Sequence, residues 1–281
     1  MRILVTGAAG YIGRHVVTAC LDRGHEVWAS DFQFKGLDDR ARLTDVPIFD
    51  AQKDLFDQLG SPEVVIHMAW RDGFIHNSNA HMADLSKHVA FLNYMIDSGV
   101  KYVTVMGSMH EIGYYEGEVD EYTPCNPMSM YGIAKNALRQ ELLLYTKDKD
   151  VNVHWLRAFY IYGDDARGSS IFAKLYQACE EGKKEFPFTQ GKNQYDFISV
   201  YELSRMIAVA STQDKYNGII NVCTGKPMSL AEKIESYIKE KNMPISLKYG
   251  AFPDRPYDSP GIWGNADTIK CIMDEFGMDS K

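Results

Sequence analysis

Arg2-Ile3-Leu4-Val5-Thr6-Gly7-Ala8-Ala9-Gly10-Tyr11-Ile12-Gly13 is a short apolar run feeding a glycine-punctuated turn, and Arg14-His15-Val16-Val17 then opens a helical pattern. A strand, a tight turn and a helix N-terminus in that order form a cradle for a dinucleotide pyrophosphate. Gly7 permits the turn, Gly10 lets backbone and phosphate approach, and Gly13 lets the helix pack on the strand while its N–H groups and dipole face the anion. Gly7, Gly10, Tyr11, Ile12 and Gly13 are therefore cofactor-binding candidates. The next run, His25-Glu26-Val27-Trp28-Ala29-Ser30-Asp31, ends in an acid at the spacing of roughly 20 residues expected for a ribose-binding carboxylate. Asp31 is followed by Phe32 and Gln33 rather than by an arginine, which favours NAD over NADP.

Composition sets the frame. The 281 residues, 45% of them apolar, can bury a large core, and a net charge of −8 offers no reason to expect nucleic acid or an anionic membrane as partner. The five cysteines (Cys20, Cys125, Cys179, Cys223, Cys271) are scattered without a CxxC pair, so reduced thiols, a cytoplasmic setting and no metal site are expected. With the first strand expected from Arg2 and no apolar run of membrane-spanning length, neither a leader peptide nor a membrane anchor is expected.

Short apolar runs alternate with helical patterns, the order of a doubly wound parallel sheet. The expected strands are Ile3–Val5, Glu26–Ser30, Pro47–Phe49, Val64–Met68, Tyr102–Met106, Val153–Arg157 and Ile219–Val222. Ligands bind such sheets beyond the carboxyl ends of the strands, which singles out Gly7, Asp31, Asp50, Ala69-Trp70, Gly107-Ser108, Tyr160 and Thr224. The alternation weakens after Gly163. The expected division is a cofactor-binding unit, 1–163 and 196–225, and a smaller substrate-binding lobe, 164–195 and 226–281.

A second constellation is Tyr131-Gly132-Ile133-Ala134-Lys135 at the start of an amphipathic helix, where i and i+4 spacing puts a phenol and an ammonium on one face. A phenol titrates near 10, so useful phenolate at neutral pH needs a shift of about three units, roughly 4 kcal/mol. A nearby ammonium and an oxidised nicotinamide supply such a field. Ser108, after the preceding strand, adds a hydroxyl that can join the phenol on a substrate oxygen.

These motifs give the chain a resemblance, over nearly its whole length, to the extended branch of the short-chain dehydrogenase/reductase superfamily, the NAD-dependent nucleotide-sugar epimerases, dehydratases and reductases. The matching segments also include His67-Met68-Ala69, Gly107-Ser108 with Gly113, Leu156-Arg157 with Tyr162-Gly163, Asp196-Phe197, Asn221–Gly225 and Arg255-Pro256-Tyr257-Asp258. The resemblance implies a Rossmann fold with a C-terminal substrate lobe. It makes Tyr131 the acid/base, Lys135 the residue that holds the nicotinamide ribose and biases Tyr131, and Ser108 the hydroxyl on the reacting oxygen. It also puts Asp31 on the adenosine ribose, Asp50 near adenine, Ala69 along the cofactor, and Arg255 on the substrate diphosphate, the alternative for Arg255 being an ion pair with Asp254 or Asp258.

Departures from that pattern narrow the chemistry. Sugar dehydratases place an acidic pair after the active-site hydroxyl; here Met109-His110 stands there, and Glu111 comes one position late. His110 is a substitute acid/base, a polar contact to the sugar, or a structural histidine. Tyr160 replaces a common Asn, Tyr195 replaces an Arg, and Trp70–Phe74 with His76 forms an unusual aromatic loop. The reading is NAD-dependent reduction of a nucleotide-bound 4-keto-6-deoxyhexose at C4, with Ser108, His110, Tyr160 and Arg255 contacting substrate. A 4-epimerase using the same residues is the close alternative. A non-catalytic NAD(H)-sensing protein is the remote one, disfavoured because a sensor needs no proton donor at the nicotinamide. The apolar faces of the Tyr131 helix and of the helix after His81 fit either a homodimer's four-helix bundle or the core.

Overall fold

A computed structural model describes residues 1–50, 53–163, 170–253 and 259–278. Strands β1 (Arg2–Thr6), β2 (Glu26–Ser30), β3 (Arg42–Thr44), β4 (Val64–His67), β5 (Tyr102–Ser108), β7 (Asn152–Ala158) and β11 (Gly218–Val222) form a seven-stranded sheet, ordered β11-β7-β5-β4-β1-β2-β3. Every pairing in it is parallel. Its central strands β1 and β4 are buried on both faces because both are covered. Ile3, Val5, Val64 and Ile66 join one buried cluster with Val16, Val17 and Cys20 of α1 (Gly13–Asp22), Leu203 and Ile207 of α6 (Val200–Ala210), and Ile269 and Ile272 of α8 (Asp267–Phe276). Leu4, Val65 and Val103 face the opposite way, onto Phe91, Leu92 and Met95 of α3 (Ala80–Asp97) and Leu138 and Leu142 of α4 (Met130–Tyr145). The doubly wound reading holds. The strand order reverses between β1 and β4, the place where such sheets open a crevice.

The third strand is a correction. Pro47–Phe49 is not a strand; Arg42–Thr44 is, paired with Trp28–Ser30 at the sheet edge. An edge strand needs little apolar character, and Arg42 and Leu43 face solvent there. Pro47 has no N–H for a ladder. Ile48 and Phe49 turn instead onto the α3 side of the core, Phe49 meeting His88 edge-on at 4.8 Å, beside the short α2 (Leu55–Gln58).

A second sheet runs β12 (Pro227–Ser229), β10 (Gln194–Ser199), β14 (Gly261–Gly264), β6 (Gly117–Val119), with β8 (Tyr160–Tyr162) also on β10. β6, β8 and most of β10 come from spans assigned by sequence to the cofactor-binding unit. Asp196, fully buried on β10, ties this sheet to the end of β11 by accepting the Thr224 N–H at 2.9 Å, the Thr224 hydroxyl at 2.6 Å and the Gly225 N–H at 2.8 Å. A two-stranded pair, β9 (Glu185–Pro187) with β13 (Ser246–Lys248), and helices α5 (Ile171–Glu180) and α7 (Leu230–Glu240) complete this part of the fold. Among the described residues no helix is long and apolar enough to cross a membrane.

Candidate active site

The glycine turn has the shape of a close-packed cradle. Gly7 adopts φ +66°, and a Cβ on it would lie 2.7 Å from both Cα and N of Ala69 at the end of β4. A Cβ on Gly13 would stand 2.2 Å from the Gly7 carbonyl oxygen, so the helix reaches its seat only without a side chain. The N-cap residue Ile12 offers the first turn no side-chain acceptor, as in helix ends that receive anions. Asp31 braces the turn, its Oδ2 accepting the Ala9 N–H at 2.9 Å and its Oδ1 the Phe32 N–H at 2.7 Å. Tyr11 reaches across to the end of β8, where a Cβ on Gly163 would come 2.6 Å from its hydroxyl. Asp50 is exposed, in the loop beyond the third strand. A carboxylate at Asp31, if it takes the adenosine ribose as the resemblance implies, would repel an extra ribose phosphate. Titration is expected to give tighter NADH than NADPH binding, with Asp31→Ala narrowing the difference; tighter NADPH binding would reverse the assignment.

Ser108, Tyr131 and Lys135 converge beyond β4 and β5. Ser108 ends β5 in extended backbone, and Tyr131 and Lys135 occupy the first turns of α4, whose N-cap Ser129 accepts the Gly132 N–H at 3.1 Å. Two further contacts dock the 71–79 loop onto that helix end: the His76 carbonyl accepts the Tyr131 N–H at 2.9 Å, and Asn77 Oδ1 accepts the Met130 N–H at 3.2 Å. Lys135 is buried, its ammonium 3.8 Å from the Trp70 ring centroid and donating to the Met106 carbonyl at 2.7 Å. Burial holds it down to about 7, with the Glu111 charge pulling the other way. The sequence expectation for the Tyr131 phenol is acidification by Lys135 and an oxidised nicotinamide together. In the protein alone burial pushes it up to about 12, the Ser108 hydroxyl opposing and the Glu111 charge adding to the rise.

Because folding lowers the Lys135 pKa from 10.5 to about 7, the unfolded chain binds more protons between those values, and this residue's contribution to stability rises with pH across that window. Lys135→Met is expected to melt higher than the wild type near pH 7, to lose that pH dependence and to lose turnover. A lower melting temperature would contradict the buried, weakly basic ammonium.

The surroundings of Tyr131 were only partly legible in sequence. Its ring is stacked on His76 at 5.6 Å, with His81 at 5.3 Å, His110 at 5.9 Å and Trp70 at 6.1 Å between centroids. Behind them runs a buried chain whose tautomers follow from its hydrogen bonds. Thr6 Oγ1 accepts the Met68 and Ala69 N–H groups at 3.2 and 3.3 Å, so it donates to His67 Nδ1 at 2.8 Å. His67 Nε2 then donates to His88 Nδ1 at 2.8 Å, and His88 lies flat under Trp70 at 4.4 Å. Trp70 Nε1 donates to His81 Nδ1 at 3.0 Å, leaving the His81 Nε2 proton for the Ile75 carbonyl at 2.9 Å. Burial keeps His67 well below its ordinary value and holds His88 down to about 3. The seven-residue spacing of His81 and His88 on one helix was the available signal; their packing on Trp70 was not.

His110 stands on the pocket wall, 4.2 Å from His76 between ring centroids, and burial lowers it to about 4, so the imidazole is neutral at pH 7. Glu111 turns away from the pocket into the core. A cavity of about 930 Å³ opens here, walled by His76, His110, Tyr160, Tyr195, Phe197 and Ile262. Tyr160 and Tyr195, the two departures on the substrate side, stack at 4.0 Å. A second cavity of about 480 Å³ shares Ile171, Tyr195 and Leu230 with it. Arg255, with Asp254 and Asp258, lies outside the described residues. Among those described, no group of three or more His, Cys, Asp or Glu side chains is arranged to hold a metal ion.

A curated dTDP-6-deoxy-L-talose 4-dehydrogenase (NAD(+)) from Aggregatibacter actinomycetemcomitans is 41% identical over 271 residues, covering 94% of this chain and 99% of the relative. A putative UDP-glucose 4-epimerase from Methanocaldococcus jannaschii is 26% identical, covering 90% of this chain and 86% of the relative. In fold the chain is similar to the UDP-N-acetylglucosamine 4-epimerase of Methanobrevibacter ruminantium solved with UDP-N-acetylmuramic acid, with a TM-score of 0.84 at 21% identity over 96% of this chain and 91% of the other. The model of the NAD dependent epimerase/dehydratase family matches residues 3–223, and the chain belongs to that family.

Proposed function

We propose that the chain is an NAD-dependent oxidoreductase that interconverts the 4-keto and 4-hydroxy forms of a 6-deoxyhexose carried on a nucleoside diphosphate. The carrying observation is the convergence of the Ser108 hydroxyl, the Tyr131 phenol and the Lys135 ammonium beside a cavity whose walls are mainly aromatic, imidazole and aliphatic, with Asn77, Ser129, Ser170 and Ser259 among them. Such walls suit a sugar bearing a methyl group. No carboxylate among the described residues lines that cavity to move protons between C5 and C6.

The side-chain-free cradle at Gly7, Gly10 and Gly13 fits a dinucleotide. Gly7, Gly10, Tyr11, Ile12 and Gly13 would hold the pyrophosphate, Asp31 the adenosine ribose, Asp50 the adenine side, and Ala69 and Lys135 the nicotinamide ribose. NAD, when bound there, takes or supplies the hydride at sugar C4. Tyr131 exchanges the proton on O4, Ser108 donates a hydrogen bond to that oxygen, and the Lys135 charge favours the phenolate. His110 and the Tyr160–Tyr195 stack hold the sugar, and Arg255 holds the diphosphate. The lobes 164–195 and 226–281 would carry the nucleotide. The protein would act in the cytoplasm, and exposed Met82, Ile133 and Leu144 on α3 and α4 support pairing of two copies.

Incubation with a dTDP-6-deoxyhexose and NAD, followed by NADH absorbance, tests the reading. Net NADH formation with no deuterium entering C5 from heavy water supports it. The epimerase reading, supported by the M. jannaschii relative, gives tightly retained NAD and a C4 epimer without net NADH; with an NDP-hexose that keeps its 6-hydroxyl, label at C5 abolished by His110→Ala would identify a lyase.

A further inference from the structure

A buried acid lies directly behind Ser108. Glu111 closes the single 3-10 turn Met109–Glu111 and is fully buried. Its Oε1 accepts the Ser108 backbone N–H at 2.6 Å, and its two oxygens accept the Trp155 Nε1–H at 3.1 and 3.0 Å. In return Ser108 Oγ accepts the His110 N–H at 3.3 Å, so the turn closes on Ser108 as a reciprocal cap. Gly107 makes the meeting possible, since a Cβ there would lie 2.3 Å from Trp155 Nε1 and 2.8 Å from Glu111 Oε1.

Two cations complete the setting. Arg157 Nη2, equally buried, lies 3.8 Å from Glu111 Oε2, and Arg139 Nε lies 3.7 Å from it. Each of these partners is a donor or a cation, the surroundings of a carboxylate rather than of a carboxylic acid. Burial raises the Glu111 carboxyl above its ordinary value, with Arg157, the Ser108 N–H and Arg139 opposing the rise.

We propose that Glu111 is a positioning residue for the proton transfer, fixing Ser108 through its backbone and presenting its negative charge to Tyr131 and Lys135 from the core side. This rests on the reading of Ser108 and Tyr131 given above. The charged and titratable groups that face Glu111 are Arg157 on β7 and Arg139, Lys135 and Tyr131 on α4; Asp120 and Cys125 lie beyond it against Arg157, through a carbonyl contact at 3.2 Å and a thiol contact at 3.8 Å. A buried anion raises the pKa of each neighbouring acid, and it does so for both Tyr131 and Lys135.

Two substitutions separate hold from charge. Glu111→Gln keeps an acceptor for the Ser108 N–H and removes the charge, so both limbs of the pH profile of kcat/KM move to lower pH together. Glu111→Asp keeps the charge and withdraws it by one methylene, so the limbs stay while kcat falls by up to about 10²-fold, the scale of a roughly 1 Å misplacement. Melting and NADH titration establish that each variant is folded, and if the Gln variant does not fold the Asp variant carries the test. Unmoved limbs in a folded Gln variant, or wild-type kcat in the Asp variant, overturns the proposal. Activity retained in Tyr131→Phe would instead overturn the reading beneath it.

Discussion

Replacing Tyr131 by phenylalanine is expected to lower turnover about 10²–10⁴-fold, the usual contribution of a general acid/base, with folding and NAD binding nearly unchanged. Only one hydroxyl is lost. The ring keeps its stack on His76 at 5.6 Å and its edge contacts with His81 and His110, so the packing that locates α4 survives. The phenol of the protein alone sits at about 12, too basic to ionise at neutral pH, because burial outweighs the Ser108 hydroxyl. Turnover therefore depends on added positive charge near the oxygen, and wild-type activity in the Phe variant on the true substrate would remove Tyr131 from the chemistry.

Gly7→Ala is expected to cost several kcal/mol of stability and most NAD affinity. A left-handed residue with a side chain costs roughly 1–2 kcal/mol, and overpacking adds about 1–3 kcal/mol when the neighbour cannot yield. At Gly7 the neighbour is backbone, the Cα and N of Ala69 at 2.7 Å, held by the pairing of β1 with β4. Gly24 supplies the control: its φ is +78°, but a Cβ there meets nothing within 4 Å. Gly24→Ala should show the dihedral cost alone. Chemical denaturation of both variants with NADH titration checks the difference, and equal losses would mean that the close approach to β4 carries no cost.

The doubly wound sheet was legible in the chain because buried parallel strands read as continuous apolar runs and a dinucleotide turn demands glycine at fixed spacing. Tyr131 and Lys135 were legible for a similar reason, since i and i+4 on a helix share a face whatever surrounds them. The third strand was not, because an edge strand such as Arg42–Thr44 is chosen by the neighbour that offers it a ladder rather than by its own hydropathy. Nor was the setting of the phenol. Trp70, His76 and His81 come from one stretch and His110 from another, and they meet around the phenol only when α3, α4 and the ends of β4 and β5 pack. Desolvation follows from that packing, and it moves Tyr131 up and Lys135 down against their ordinary values. Glu111 shows the division most sharply: in sequence it stands one place late for a dehydratase acid, and only the fold turns it inward between Arg157 and the Ser108 N–H. Local spacing and hydropathy determined the fold class and the cofactor turn; charge, burial and long-range contact, which no single stretch contains, were decided by the tertiary structure.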